Sequence, residues 1–285
     1  MLKIGFIGAG TVGTALSLLL SKNGYRVTAV YSRTPASAEK LAKAVGGCRV
    51  FSTNQDVADN AELIFITTPD DAIANVASQI KWHSGQSAVH CSGADSTDIL
   101  ETAGKQGAGT GVFHPLQTFA GIEQAIANIP GSTFVVEAEE PLLSTLQKMA
   151  NAVGGHGIKL KAGDKVAYHA AAVIACNYLV TLVKLATDLW QTFSVPPPQS
   201  TRALLPLIRG TLSNIGNIGI PDCLTGPIAR GDTGTIKKHL DALQKVAPTL
   251  LSTYKELGLQ TIPIALAKGK INESQAQELK AILKP

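Results

Sequence analysis

The sequence predicts an α/β protein in two parts: a doubly wound parallel-sheet domain over residues 1–160, then an all-helical domain over residues 161–285. Three observations carry this. Short apolar runs alternate with helical patterns as far as about residue 160, a glycine-rich turn joins the first run to the first helical pattern, and no strand pattern follows Leu160.

The first run, KIGFIG at 3–8, leads into the helical pattern TVGTALSLLLSKNG, the second run YRVTAVYS and a helix from about Ala36 to Val45. This alternation marks βαβ units, whose strands are covered on both faces and read as near-continuous apolar segments. Further strands are expected at LIFITT (63–68), SAVHCS (87–92), TGVF (110–113), TFVVE (133–137) and GIKL (157–160). Helices are expected over about 163–193, 199–217, 232–257 and 273–283, with Pro248 kinking the third. Pro196–Pro198 makes a corner between the first two, because proline cannot continue a helix and its predecessor avoids the α region. Asn272 with Gln275 predicts a capping box, which accounts for the Asn272-Glu273-Ser274 pattern without invoking glycosylation.

Composition narrows the function classes. With 45% hydrophobic and 16% charged residues among 285, the chain is neither disordered nor a disulfide-stapled miniature. The balance of 25 basic to 21 acidic residues, without a basic run, is too weak for a nucleic-acid footprint. Cys48, Cys91, Cys176 and Cys223 lie far apart with no histidine at ligand spacing, so they read as reduced thiols and predict no metal. The N-terminus lacks the long apolar segment of a secretory peptide, and a cytoplasmic location is expected. Val166–Val183 contains no Asp, Glu, Lys or Arg, but His169, Asn177, Thr181 and two tyrosines make it a buried helix rather than a membrane span.

Gly8-Ala9-Gly10-Thr11-Val12-Gly13 is a G-x-G-x-x-G between a strand and a helix, the context that makes it a dinucleotide fingerprint. The first glycine permits a tight turn, the second lets a pyrophosphate approach the backbone, and the third lets helix pack on strand. A cofactor with a free ribose 2′-hydroxyl usually meets an acidic residue roughly 20 residues further on. Here the first acidic residue is Glu39, and the second strand runs into Ser32, Arg33 and Thr34. That segment offers a guanidinium and two hydroxyls to a 2′-phosphate, so NADP(H) is expected over NAD(H). The alternative, a solvated Arg33, leaves the missing carboxylate unexplained.

Thr67-Thr68-Pro69-Asp70-Asp71 and His90-Cys91-Ser92-Gly93-Ala94 end strands, where open parallel sheets bind ligands, and His114 ends another. Turn chemistry alone also accounts for Pro69, Asp70 and Gly93. Thr67, Thr68 and Pro69 are expected to border the cofactor, and Ser92 and His114 the substrate.

GFIGAGTVGTAL, VHCSGA, GVFHPLQTF, YHAAAVIACNYLVTL and LTGPIARGD together resemble a bacterial family that fuses a Rossmann-like NADP domain to an all-helical domain of unassigned function. That family is similar in architecture to ketopantoate reductase, β-hydroxyacid dehydrogenases and pyrroline-5-carboxylate reductase. The resemblance implies a helical half of the 6-phosphogluconate dehydrogenase C-terminal type and a reductase activity. In ketopantoate reductases the first long helix after the sheet carries a catalytic lysine, with asparagines one and two turns on. Matching Asn177 to the last of these places His169 at the lysine and Val173 at the middle asparagine, so two of three positions depart from the pattern.

His169 and Asn177 also lie about 80° apart on a helical wheel, on one side of an otherwise apolar helix. They are expected to be catalytic, with His169 the general acid. Lys165 is the competing proton donor, although a lysine near a helix start is usually solvated. In Leu224–Asp232, Thr225 and Arg230 are expected to bind a substrate carboxylate and Asp232 to cap the next helix, with an interhelical salt bridge the alternative for Arg230. The expected activity is NADPH-dependent reduction of a small carboxylate-bearing 2-keto acid of the ketopantoate type. Imine reduction and a non-catalytic NADP(H)-binding sensor are the alternatives. The apolar long helix, rich in alanine, predicts a homodimer through the helical half.

Overall fold

The computed structural model describes residues 1–284. The chain divides into two compact units, Met1–Cys176 and Asn177–Pro285. The division falls later than the boundary expected near residue 160, because the first turns of the long helix belong with the first unit.

In that unit the elements are β1 (Lys3–Ile7), α1 (Thr11–Lys22), β2 (Arg26–Tyr31), α2 (Pro35–Val45), β3 (Arg49–Val50), α3 (Asn54–Asp59), β4 (Leu63–Ile66) and α4 (Asp70–Ser78). They continue with β5 (Ser87–His90), α5 (Glu101–Lys105), β6 (Gly109–Pro115), α6 (Ile122–Asn128), β7 (Thr133–Ala138), α7 (Leu142–Ala152), β8 (His156–Lys159) and α8 (Lys165–Ala172). The strands form one sheet in the order β3-β2-β1-β4-β5-β6-β7-β8, so the winding reverses between β1 and β4. At such a reversal the loops leaving adjacent strands diverge and open a crevice. The expectation of a wholly parallel sheet needs correcting at one place. β7 runs antiparallel to β6 and parallel to β8, an edge arrangement common in mixed sheets. β3, a pair of exposed residues, has no apolar run to announce it.

Each face of the sheet has its own core. On one face Phe6, Phe65, Phe113 and Phe134 form a row across the strands, with successive ring centroids 5.1, 5.7 and 4.6 Å apart. On the other, Ile7, Ile64, Ile66 and Trp82 pack with Ala77 and Leu100. Apolar burial on both faces fixes strand register, since a slip of one residue would exchange the two sets of side chains.

The second unit holds α9 (Tyr178–Gln191), α10 (Pro197–Asn217), α11 (Thr233–Val246), α12 (Leu251–Ala267) and α13 (Glu273–Leu283). Its core gathers Ile236, Ile262, Ala265, Leu279 and Leu283. Asn272 and Gln275 form the expected capping box. Pro248 ends a helix rather than kinking one: Ala247 before it leaves the helical region, and a short 3-10 turn separates α11 from α12.

The helix expected over 163–193 runs from Lys165 to Gln191, interrupted by a π-helical turn at Val173–Asn177. The uniform rotation assumed between His169 and Asn177 therefore does not hold. Nor is this helix buried within one chain. By length and composition it could cross a membrane, and no residue of its most apolar window is fully buried. Val166 is 68% exposed, Ile174 64% and Val180 71%.

Candidate active site

The glycine-rich loop is shaped by close approach to the end of β4. Gly8 has φ +104°, and a Cβ there would lie 2.6 Å from the Thr67 carbonyl oxygen. A Cβ on Gly13 would lie 2.6 Å from the Gly8 oxygen and 2.4 Å from Thr67 Oγ1. The Gly8 N–H donates to the Tyr31 carbonyl (2.8 Å) and the Thr67 hydroxyl to that of Gly8 (2.8 Å), tying the ends of β1, β2 and β4 together. At Gly10, by contrast, a Cβ would meet nothing within 4 Å.

Gly10 starts α1 without a side-chain cap, and no acidic residue stands in the first turn, where Thr11 and Val12 lie. The first N–H groups of α1 therefore face open space with the positive end of the helix dipole behind them. Thr68 Oγ1 is buried without a hydrogen-bond partner among the described residues, a polar atom left for something the chain binds. Pro69 begins α4. Ser32, Arg33 and Thr34 follow β2, with the Thr34 N–H donating to Ser32 Oγ (3.4 Å) and the Arg33 side chain exposed. These features fit a phosphorylated dinucleotide.

A second cluster lies beyond the ends of β5 and β6. Lys165, expected to be solvated, is fully buried, and this is a correction to the sequence reading. Its ammonium donates to the carbonyls of Ser92 (3.1 Å) and Asp95. Burial pushes its pKa down, while the carboxylates of Glu137, Asp95 and Asp70 and the Cys91 thiol pull it up. The turn that presents the two carbonyls is built on the Ser92 hydroxyl. This oxygen accepts from the N–H groups of Ala94 (3.3 Å) and Asp95 (3.2 Å), and stands 2.9 Å from Asp70 Oδ2 and 2.8 Å from Asp95 Oδ2. Asp70, at the start of α4, thus links the β4 loop to the turn carrying Lys165's acceptors.

His90, beneath the turn, accepts from the Ser92 N–H at Nδ1 (3.1 Å), so its Nε2 carries the hydrogen and donates to the Ser96 carbonyl (3.0 Å). His114 Nδ1 pairs with the Tyr168 hydroxyl (2.9 Å), and the His114 and His169 rings stack with centroids 6.4 Å apart. Both imidazoles close on Gly93: a Cβ there would lie 2.7 Å from His169 Nδ1 and 2.9 Å from His114 Nε2. His169 Nδ1 is buried without a hydrogen-bond partner among the described residues. Burial raises the Tyr168 phenol to about 12 and the Cys91 thiol to about 12.

The fold thus brings Ser92, His114, His169 and Lys165 into one cluster, and Gly8, Gly10, Gly13, Thr67 and Thr68 into another. Asn177, Thr225 and Arg230 belong to the second unit, where Asn177 is exposed at the end of the π-helical turn and Thr225 and Arg230 share a pocket. Asp70 falls in the strand-end loop read from sequence as ligand-lining, whereas Asp95 and Tyr168 were not singled out. Asp95 lies just beyond another strand-end loop, the one signal that could have flagged it.

Burial pushes His90 and His114 from 6.5 down to about 4. Between these values the unfolded imidazoles bind protons and the folded ones do not, so stability is lost as pH falls from about 6.5 towards 4. Each histidine contributes up to about 3 kcal/mol to that loss. Urea unfolding at about pH 7.5 and about pH 5 should show it, and His90→Gln should flatten the dependence. Equal pH dependence in the variant and the parent would refute the assignment.

Two families match the chain: one described as a Rossmann-like domain over residues 1–115, the other as a domain of unknown function, DUF2520, over residues 132–261. A Bacteroides fragilis protein provisionally assigned as an NADP oxidoreductase shares 27% identity at a TM-score of 0.74, over 92% of this chain and 98% of that one. A Thermotoga maritima protein shares 26% identity at 0.74, over 93% and 99%. Plasmodium falciparum pyrroline carboxylate reductase, solved with NADP bound, has the same fold at 16% identity and a TM-score of 0.58, over 99% and 98%. Among curated proteins, an Orientia tsutsugamushi glycerol-3-phosphate dehydrogenase is 33% identical over 95 residues, which is 29% of this chain and only 28% of that relative's length. The chain is built as a Rossmann-like domain followed by a domain matching DUF2520, the two-part architecture its motifs resemble.

Proposed function

We propose that the protein is an NADPH-dependent reductase of the carbonyl group of a small acidic compound, with 2-keto acids of the ketopantoate type the class its motifs imply. The observation that carries this reading is the buried ammonium of Lys165, held on two carbonyls at the same end of the sheet as the glycine-rich loop. When bound, NADPH supplies the hydride. The loop Gly8–Gly13 and the start of α1 hold the pyrophosphate, with Thr67, Thr68 and Pro69 as the facing wall. Ser32, Arg33 and Thr34 take the 2′-phosphate. The NADP oxidoreductase assignment of the Bacteroides fragilis protein, over nearly the whole of both chains, supports the same cofactor.

A carbonyl that receives hydride needs a proton on its oxygen, and within this reading Lys165 supplies it. His169 led in the sequence expectation. What favours Lys165 is its setting: its ammonium is buried against the Ser92 and Asp95 carbonyls, and burial lowers its pKa from the ordinary lysine value. Burial holds His114 in the same cluster down at about 4, which makes it a poor proton donor. His169 then orients the reacting oxygen and remains the competing acid, with Ser92 and His114 as polar contacts. In the second unit, Thr225 and Arg230 are read as a subsite for an acidic group.

NADPH consumption against a panel of 2-keto acids and cyclic imines tests the reading. Turnover of keto acids is expected. Turnover of imines alone would overturn carbonyl reduction, and tight NADPH binding without any turnover would make the protein a sensor. In a folded protein, Lys165→Met should lower kcat by about two to four orders of magnitude with NADPH affinity nearly intact. A smaller effect than that of His169→Ala would return the acid role to His169.

NADPH should bind at least about tenfold more tightly than NADH, since a charge-assisted phosphate contact is worth roughly 1.5–3 kcal/mol. Calorimetry with Arg33→Ala checks it; equal affinities for the two cofactors, or no loss in the variant, would refute the assignment.

The exposed apolar side chains of α9 and α10, with Val180 71% and Leu207 68% exposed, favour a homodimer through the helical half. Leu205, Leu212 and Ile215 extend the same uncovered apolar surface. Sedimentation equilibrium at micromolar concentration should give twice the 29.7 kDa chain mass, and a single species at the chain mass would rule the dimer out.

A further inference from the structure

The segment Leu224–Asp232 builds a pocket of its own within the second unit. A cavity of about 400 Å³ is lined by Thr225, Gly226, Arg230, Lys268 and Lys270. The local backbone explains why three cations converge there. Gly226, at φ +98°, turns the chain after Thr225, and a short 3-10 turn over Ile228–Arg230 ends at Gly231 in the left-handed region. Lys268 donates from Nζ to the carbonyls of Asp222 (2.6 Å) and Leu224 (2.8 Å). Those bonds pin its ammonium beside the turn and leave a third N–H to spare.

No carboxylate lies within ion-pair distance of these cations among the described residues, although the Arg230 guanidinium, after the hydrogen bonds from Thr235, helps to lower the pKa of the Asp232 carboxyl. Among the described residues the ion pairs join Lys105 to Glu101 and Lys184 to Asp188, and none involves Arg230, Lys268 or Lys270. The interhelical salt bridge considered for Arg230 is therefore absent among them. Asp232, next but one to Arg230, is committed as a helix cap to the N–H and hydroxyl of Thr235 at 2.9 and 2.7 Å. A single carboxylate matches one guanidinium and would leave the charge of the two lysines in the lining unmatched.

We propose that this pocket binds a dianionic oxyanion of the phosphate type, with Arg230 and Lys270 on its oxygens, the Thr225 hydroxyl donating to it, and Lys268 adding its spare N–H. A phosphate monoester carries close to two charges at neutral pH and three acceptor oxygens, enough for this donor set. The inference rests on the pocket alone. It does not depend on the reductase reading.

The full-length protein is titrated with inorganic phosphate by calorimetry in saturating NADPH, which occupies the glycine-rich loop. One phosphate per chain is expected, weakened about tenfold or more by Arg230→Ala and likewise by Lys270→Ala, with acetate and pyruvate weaker than phosphate by a similar factor. Methyl phosphate run alongside separates the sources: tighter binding of the ester points to a phosphorylated metabolite, tighter binding of the free ion to phosphate itself, and either supports the site. No binding, or binding untouched by both substitutions, overturns the proposal. Equal affinity for acetate and phosphate also overturns it, leaving a monocarboxylate subsite. Failure of the reductase reading would show separately, as missing NADPH binding or missing NADPH consumption.

Discussion

A buried ammonium is the most demanding feature of the first unit, and the loops around it are shaped by the need to replace its lost water. Taking an ammonium out of solvent costs several kcal/mol unless fixed dipoles face it. At Lys165 those dipoles are the carbonyls of Ser92 and Asp95, which point the same way because the Ser92 hydroxyl gathers the intervening N–H groups. The contact to Asp70 then ties the turn to the β4 loop, and Thr67 ties that loop to Gly8. Hydrogen bonds together with the short segment from Thr67 to Asp70 link the dinucleotide fingerprint to the lysine.

Much of this organisation was legible because it is local. The buried strands announce themselves as apolar runs, and Gly8, Gly10 and Gly13 declare the first turn through their spacing. Asn272 and Gln275 do the same for the start of α13. What the sequence hid is what depends on distant partners. Nothing near Lys165 says that a turn some 70 residues earlier will cover it, and a lysine at a helix start is ordinarily wet. The antiparallel placement of β7 leaves no trace in its own residues, since TFVVE would suit either direction. The π-helical turn at Val173–Asn177 is equally silent, and it undoes angular arithmetic that assumes a uniform helix.

The two units solve the problem of burial differently. The sheet covers its apolar faces with helices on both sides and leaves few large hydrophobic side chains exposed. The helical unit gathers a compact core from α11, α12 and α13, while α9 and α10 keep apolar side chains in solvent. That contrast places pressure for partnership on the second unit, because an apolar helix surface in water favours whatever will cover it.

The glycines of the first loop separate two kinds of selection. Gly8 and Gly13 are held by the chain itself, where a side chain would run into backbone, whereas at Gly10 the chain leaves room. In a saturation library sorted for cellular abundance, substitutions at Gly8 and Gly13 would be depleted while those at Gly10 persisted. Sorted instead for retention on an immobilised dinucleotide, the same library would lose all three. Natural drift at Gly10 would therefore record whether a lineage still binds its ligand, independently of whether the protein still folds.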